Sequence, residues 1–197
     1  KKYYAEYELA YAQQYAALGD FENSLVHAKN AYEKSSPEKK QLKQKSFYYY
    51  CLGLYSTGKS KQAISLIEKS KENAEIESKY FFAQKILYAR CLAENGSLES
   101  AEKIYKDFFE KSHLNNEQKY DYAKILFSLG NMSECKKVAD SSSVYDAVYI
   151  SALASFNMQD WKNSSAGFSK FIAENSKSPK ISFAEFYYGY SLYKMEK

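Results

Sequence analysis

Tyr11-Ala12-Gln13-Gln14-Tyr15-Ala16-Ala17-Leu18-Gly19-Asp20-Phe21-Glu22-Asn23-Ser24, followed by Ala28, Ala31 and Pro37, is the stretch whose reading decides the fold. It reads as two helices joined by a tight turn. Helices that pack this closely need a small residue where they cross, and Ala12 supplies it. Gly19 stands where the first helix must end in a left-handed residue, which glycine adopts without a steric cost. Phe21 then covers the turn. Ser24, Ala28 and Ala31 are spaced four and three apart, so they share one face of the second helix. Ser36-Pro37 reads as the start of the next unit, with Ser as N-cap and Pro at the first helical position.

The same plan recurs down the chain. Gly19, Gly58, Gly96 and Gly130 mark successive turns, at spacings of 39, 38 and 34 residues. The second unit carries Phe47-Tyr48-Tyr49-Tyr50-Cys51-Leu52-Gly53-Leu54, then Ala63, Ile67 and Ser70, and its first helix is predicted to begin as early as Pro37. The third carries Tyr88-Ala89-Arg90-Cys91-Leu92, then Ala101, Tyr105 and Phe108. The fourth carries Tyr122-Ala123-Lys124-Ile125-Leu126, then Cys135 and Ala139. Its second helix is predicted to be short, because Asp140-Ser141-Ser142-Ser143 reads as a loop. The fifth carries Ala152-Leu153-Ala154-Ser155 and Gln159-Asp160-Trp161, with Gln159 in place of the turn glycine and Trp161 in place of Phe21. Ser178-Pro179 opens a last helix through Ala184, Tyr188-Gly189 and Leu192.

The recurrence resembles the tetratricopeptide repeat (TPR), whose idealised period is about 34 residues. The resemblance covers nearly the whole chain. It implies an all-α, right-handed superhelical solenoid of antiparallel helix pairs, about five repeats plus one extra helix. The units fall at about 5–36, 37–75, 76–114, 115–143, 144–177 and, in part, 178–197 of a single solenoid domain. The last third has a narrower likeness. Trp161, Phe168-Ser169-Lys170-Phe171-Ile172, Ser178-Pro179 and Tyr188-Gly189-Tyr190-Ser191-Leu192-Tyr193 are similar to repeats of bacterial outer-membrane assembly lipoproteins and of the periplasmic coordinator of the Tol–Pal system. That likeness points to the bacterial cell envelope, with the cytoplasm as the other compartment.

Composition agrees with a helical scaffold. Hydrophobic residues make up 45%, enough for a core, while Gly 7 and Pro 2 are few. The net charge of +4 is modest and the signs are interspersed, which argues against a dedicated nucleic-acid surface. No apolar run approaches the roughly 18 residues of a membrane span. Cys51, Cys91 and Cys135 show no paired or metal-like spacing and read as small core residues. His27 and His113 have no Asp or Cys at ligand or triad spacing. No metal, no cofactor and no enzymatic activity are expected. Asn95-Gly96-Ser97, Asn131-Met132-Ser133 and Asn163-Ser164-Ser165 are formal glycosylation triplets, meaningful only in a eukaryotic secretory setting.

Gly53-Leu54-Tyr55-Ser56-Thr57-Gly58-Lys59-Ser60 matches the phosphate-binding loop pattern and has to be judged by context. That loop follows a buried strand and wraps free N–H groups around phosphate. Here Gly53 lies in a helical pattern and Gly58 is a repeat turn, so residues Phe47 to Ser56 are predicted to be α-helical and no nucleotide is expected.

The 21 tyrosines carry the functional information. In the family resembled here, the first helices of successive units line a concave groove, at positions three before, one after and four after the small residue. Those positions hold Leu9, Gln13 and Ala16 in unit one, then Tyr48, Leu52 and Tyr55, then Ile86, Arg90 and Ala93. They continue with Tyr120, Lys124 and Phe127, then Tyr149, Leu153 and Phe156, then Phe186, Tyr190 and Tyr193. The candidate partner-binding residues are therefore Tyr48, Tyr55, Arg90, Tyr120, Lys124, Phe127, Tyr149, Phe156, Phe186 and Tyr190. Tyrosine offers apolar area plus a hydroxyl at low entropic cost, which suits a peptide or protein partner. The same rings could equally serve as core between helices. Some family members bind C-terminal carboxylates through Lys, Asn and Arg. The matching positions here hold Leu9, Gln13, Tyr49, Ala83 and Leu87, so that clamp is missing.

The expected function is a non-enzymatic protein-interaction scaffold, part of a larger protein. Two other roles fit the same residues: a structural spacer of a cell-envelope complex, and an RNA-binding helical repeat using Arg90 and Lys124 beside stacking aromatics. At the end of the chain, Ala184, Tyr188, Leu192 and Met195 recur as one apolar stripe with no charged cap. The stripe predicts a longer array, a covering molecule, or self-association through the C-terminal helix.

Overall fold

The computed structural model describes residues 3–70 and 79–196. Among them are eleven α-helices and no strand: α1 (Tyr4–Ala17), α2 (Phe21–Lys34), α3 (Lys40–Ser56), α4 (Ser60–Lys69), α5 (Lys79–Glu94), α6 (Leu98–Glu110), α7 (Asn116–Ser128), α8 (Met132–Asp140), α9 (Tyr145–Asn157), α10 (Trp161–Glu174) and α11 (Ile181–Met195). The boundary expected between the second and third repeats, at 75 and 76, lies outside the described residues. The chain divides into two compact units, Lys1–Ala101 and Glu102–Lys197, with the division inside α6. In the first, α1 pairs with α2, α2 with α3, and α3 with both α4 and α5. In the second, each helix from α7 to α11 packs on the next, and α7 and α11 both touch α9.

Every predicted turn closes in the same way. Gly19, Gly58, Gly96 and Gly130 have φ of +76°, +73°, +83° and +79°. The residue after each glycine donates its N–H five residues back, as from Asp20 to Tyr15 O and from Ser97 to Leu92 O, both at 2.9 Å. This is the wider bond of a Schellman motif, and it satisfies a carbonyl that the helix end would leave bare. Gln159 takes φ of +60° in the fifth turn, and Asp160 makes the same bond to Ser155 O at 2.9 Å. The turn thus forms without glycine, because packing of the two helices outweighs the cost of one left-handed side-chain residue.

Two of the turns also share a cap. Asp20 and Asp160 each accept from the backbone N–H three residues on, at Asn23 and Asn163. Each asparagine returns a side-chain bond to its aspartate, at 2.7 and 2.6 Å. Such a cap fixes where the second helix begins.

The crossings lie where small residues predict them. Ala12, Cys51, Ala89, Ala123 and Ala152 are all buried. Twelve residues after two of these, a small polar side chain reaches back to the crossing backbone: Ser24 Oγ donates to Ala12 O at 2.8 Å, and Cys135 Sγ to Ala123 O at 3.3 Å. All three cysteines are free and buried. Burial pushes the Cys91 thiol up to about 12 and the Cys135 thiol to about 11, and it raises Cys51 as well. These thiols stay protonated and act as core residues.

Both proline starts are corrected. Pro37 lies in a turn in which Lys39 N–H bonds Ser36 O at 3.0 Å, and α3 begins only at Lys40. Ser178 Oγ accepts from Lys180 N–H at 3.3 Å, and α11 begins at Ile181 rather than at Pro179. In both places the serine serves a turn before the helix instead of capping it. The short fourth second helix holds, since α8 has 9 residues.

Residues Phe47 to Ser56 lie within α3. Lys59 Nζ sits 3.5 Å from Glu22 Oε2, and Ser60 Oγ donates to Glu94. The residues that would have to meet a phosphate therefore face carboxylates, and the Gly53 end has its backbone in a helix. Titration with ATP and Mg²⁺ in a calorimeter is expected to give no binding heat, and a micromolar, Lys59-dependent signal would contradict this account.

Candidate functional site

The ten candidate residues divide between the two compact units, and each group is described in its own unit. In the first, Tyr48 and Tyr55 stand on α3 and Arg90 on α5, all half-buried. Tyr48 packs edge-on against Tyr49 at 5.3 Å and meets Tyr80 of α5 at 5.7 Å. Burial raises the Tyr48 pKa, with the Arg90 charge acting against it. Gln13 Nε2 reaches across from α1 to Tyr49 Oη at 3.5 Å, and Lys45 Nζ lies 5.6 Å from the Tyr80 ring. The first helices α1, α3 and α5 thus meet in a tyrosine cluster. Two of the positions expected to line it do not: Leu9 and Ile86 are each only 4% exposed and belong to the core. An aliphatic side chain at such a position fills the space between neighbouring helices, while the longer tyrosines reach past it to solvent. Tyr80 and Lys45 joined the cluster without a sequence signal, since neither occupies one of the three groove positions.

In the second unit, α7 carries Tyr120, Lys124 and Phe127, α9 carries Tyr149 and Phe156, and α11 carries Phe186 and Tyr190. Tyr120 Oη donates to Asp146 Oδ2 at 3.4 Å, and Lys180 Nζ pairs with the same carboxylate oxygen at 2.8 Å. Burial is the largest single influence and works against the Lys180 charge, but Asp146 and Tyr120 together outweigh it and the pKa rises. Lys180 also lies 5.5 Å from the Tyr149 ring, and Lys124 lies 4.7 Å from Tyr120 while pairing with Asp121 at 2.8 Å. The contacts thus run from α7 through α9 to the start of α11. Toward the other end of α9, Phe156 meets Tyr187 at 4.8 Å, Trp161 at 5.3 Å and Tyr190 at 5.5 Å. Tyr120, Phe127, Tyr149 and Phe156 are half-buried, while Lys124, Phe186 and Tyr190 are exposed. Asp146, Lys180 and Tyr187 complete the face and stand outside the three groove positions.

The apolar stripe read on the last helix splits. Ala184 is buried and Tyr188 packs partly against the core, while Leu192 and Met195 are exposed. The covered face is made by Ala184, Tyr187, Tyr188 and Ser191, which α9 and α10 approach.

No group of histidine, cysteine and carboxylate side chains among the described residues could hold a metal ion. No described helix is long and apolar enough to cross a membrane.

The arrangement defines a class, an all-α repeat of antiparallel helix pairs with left-handed turns. By sequence, neither a family model nor a curated protein matches the chain. By structure, it is similar to a tetratricopeptide repeat protein of Parabacteroides merdae, with a TM-score of 0.71 and 15% identity over 98% of this chain and 77% of that one. It is also similar to the TPR-like repeats of a putative kinesin light chain of Podosopora anserina, with a TM-score of 0.67 and 12% identity over 87% of this chain and 94% of that one. A thermophilic TPR protein of Thermus thermophilus gives a TM-score of 0.58 and 14% identity over 95% of this chain and 98% of that one. The fold is that of the tetratricopeptide repeat proteins.

Proposed function

We propose that the chain is a non-enzymatic scaffold that holds a peptide or protein segment against the face made by its first helices. The observation that carries this reading is the second unit's face, where Tyr120, Lys124, Tyr149, Phe156, Phe186 and Tyr190 stand on three successive first helices and each keeps part of its side chain in solvent. Rings held by neighbours at one edge and open at the other offer area to a partner at little entropic cost. The repeat fold is one commonly used for protein interaction, which supports the same conclusion.

The test is a double substitution, Tyr120→Ala with Tyr149→Ala. Capture of partners from a lysate of the source organism is expected to fall about tenfold or more, as for paired loss of buried aromatic anchors. Far-ultraviolet circular dichroism is expected to keep its helical signal. Capture of the same partners at the same yield would remove this face as the binding site.

A further inference from the structure

Resting on the scaffold reading above and deepening it, we propose that the face of α7, α9 and α11 takes a proline-rich segment in the left-handed polyproline II conformation. The rings there form slots rather than a flat sheet. Trp161 meets Phe156 at 5.3 Å with the two planes 79° apart, and Tyr187 meets it at 4.8 Å and 69°. Tyr190 leans on Phe156 at 5.5 Å and on Trp161 at 6.1 Å. Phe156, Trp161 and Tyr187 are each half-buried, so the slot is held by its neighbours and open at one side. Grooves lined by such rings are the sites that proline-rich segments dock into.

The polar groups select the backbone of the occupant. Lys124 pairs with Asp121 and Lys180 with Asp146, each at 2.8 Å, so these charges are answered within the face. The groups left over can donate. Trp161 Nε1 and the hydroxyls of Tyr149, Tyr187 and Tyr190 have no hydrogen-bond partner among the described residues. Lys194 Nζ lies over the Tyr190 ring at 5.4 Å. The indole and the ammonium can only donate. A polyproline II chain is the matching half, because its carbonyls make no internal hydrogen bonds and each proline lacks the N–H that would need an acceptor. An α-helix has already bonded most of its carbonyls and offers the donors little.

Spacing points the same way. α7 and α11 both touch α9, and packed helices lie about 8–10 Å apart. One turn of polyproline II is three residues and about 9 Å. A segment crossing the three helices therefore sets every third residue over the next helix, in step with the rings of Tyr120, Tyr149 and Phe186 and, further along, of Phe127, Phe156 and Tyr190. A helical turn of about 5.4 Å and a strand repeat of roughly 6.8 Å both fall out of step. The polyproline conformation is also formed before it binds, so little chain entropy is lost on docking.

The chain has a single tryptophan, and it stands in the slot, so its fluorescence reports occupancy directly. The full chain is titrated with decaproline, and a saturable blue shift of the Trp161 emission is expected. Decaproline built from D-proline, which has the same composition and the opposite screw, and a glycine-serine peptide of equal length should each bind about tenfold more weakly. Trp161→Phe keeps a ring and removes the N–H. Read by the anisotropy of labelled decaproline, it should weaken binding about threefold to tenfold. Tyr190→Ala should weaken it about tenfold, with the helical circular dichroism of both variants unchanged. No saturable shift, equal binding of either control peptide, or full binding by both variants would overturn the proposal. Any of these results beside lost capture in the Tyr120 and Tyr149 double variant would leave the scaffold reading standing and remove only the proline-rich partner. Retained capture in that double variant would remove the face itself, and this proposal with it.

Discussion

A Phe168→Ala variant is expected to lose about 3–5 kcal/mol of stability, the usual cost of emptying an aromatic core site. Phe168 is fully buried. Tyr149 meets it edge-on at 5.7 Å and Tyr187 stacks on it at 5.4 Å. The other walls of the site include Ala152 and Ala184, also in its core cluster. Those alanine side chains are too short to swing into a vacated volume, so the part of the cavity that they border would stay open. Thermal melting followed by circular dichroism is expected to shift down by roughly 10 °C. The same loss would loosen Tyr149 and Tyr187, two members of the candidate face that rest on Phe168. A melting temperature unchanged from the parent chain would mean that Phe168 does not close this core.

The second large effect concerns glycines that stand inside helices. A Cβ on Gly53 would lie 2.9 Å from both Cα and Cβ of Leu25, so α2 and α3 would have to separate. A Cβ on Gly167 would lie 2.8 Å from the Cβ of Ala152 where α10 crosses α9. Gly189 in α11 has no heavy atom within 4 Å of that position. Alanine is the better helix former by about 1 kcal/mol. At Gly189 that gain stands alone, and Gly189→Ala is expected to stabilise by about 0.5–1 kcal/mol. At Gly53 and Gly167 overpacking outweighs it, so alanine there is expected to destabilise, and Gly53→Leu by about 3 kcal/mol. Urea denaturation of the alanine variants checks the signs. A stabilising Gly53→Ala would show that α2 and α3 do not approach as closely as their backbones indicate.

These glycines also mark the limit of the sequence reading. Gly19, Gly58, Gly96 and Gly130 were legible because each ends a periodic segment, where the backbone itself requires a left-handed residue. Ala12, Cys51, Ala89, Ala123 and Ala152 were legible because a close crossing admits only small side chains, and the demand recurs in each repeat. Helix pairing, turn register and the helical state of the phosphate-loop pattern followed from those local requirements. The candidate rings were legible as well, since their positions repeat with the helices that carry them.

Other features were decided by neighbours that no local pattern names. Gln159 adopts the turn conformation because helix packing around it offsets the strain. Gly53, Gly167 and Gly189 look alike in a helix, and only the distance to another backbone separates a required glycine from an idle one. Leu9 and Ile86 occupy groove positions yet fill the core, because burial depends on what lies across from a side chain. On α11 the sequence by itself showed many apolar residues and an apolar stripe of Ala184, Tyr188, Leu192 and Met195. The packing of α9 and α10 decided which of them, Ala184, Tyr187 and Tyr188, turn inward. It left Phe183, Phe186, Tyr190 and Tyr193 outside, since a helix buries the side that its neighbours can reach.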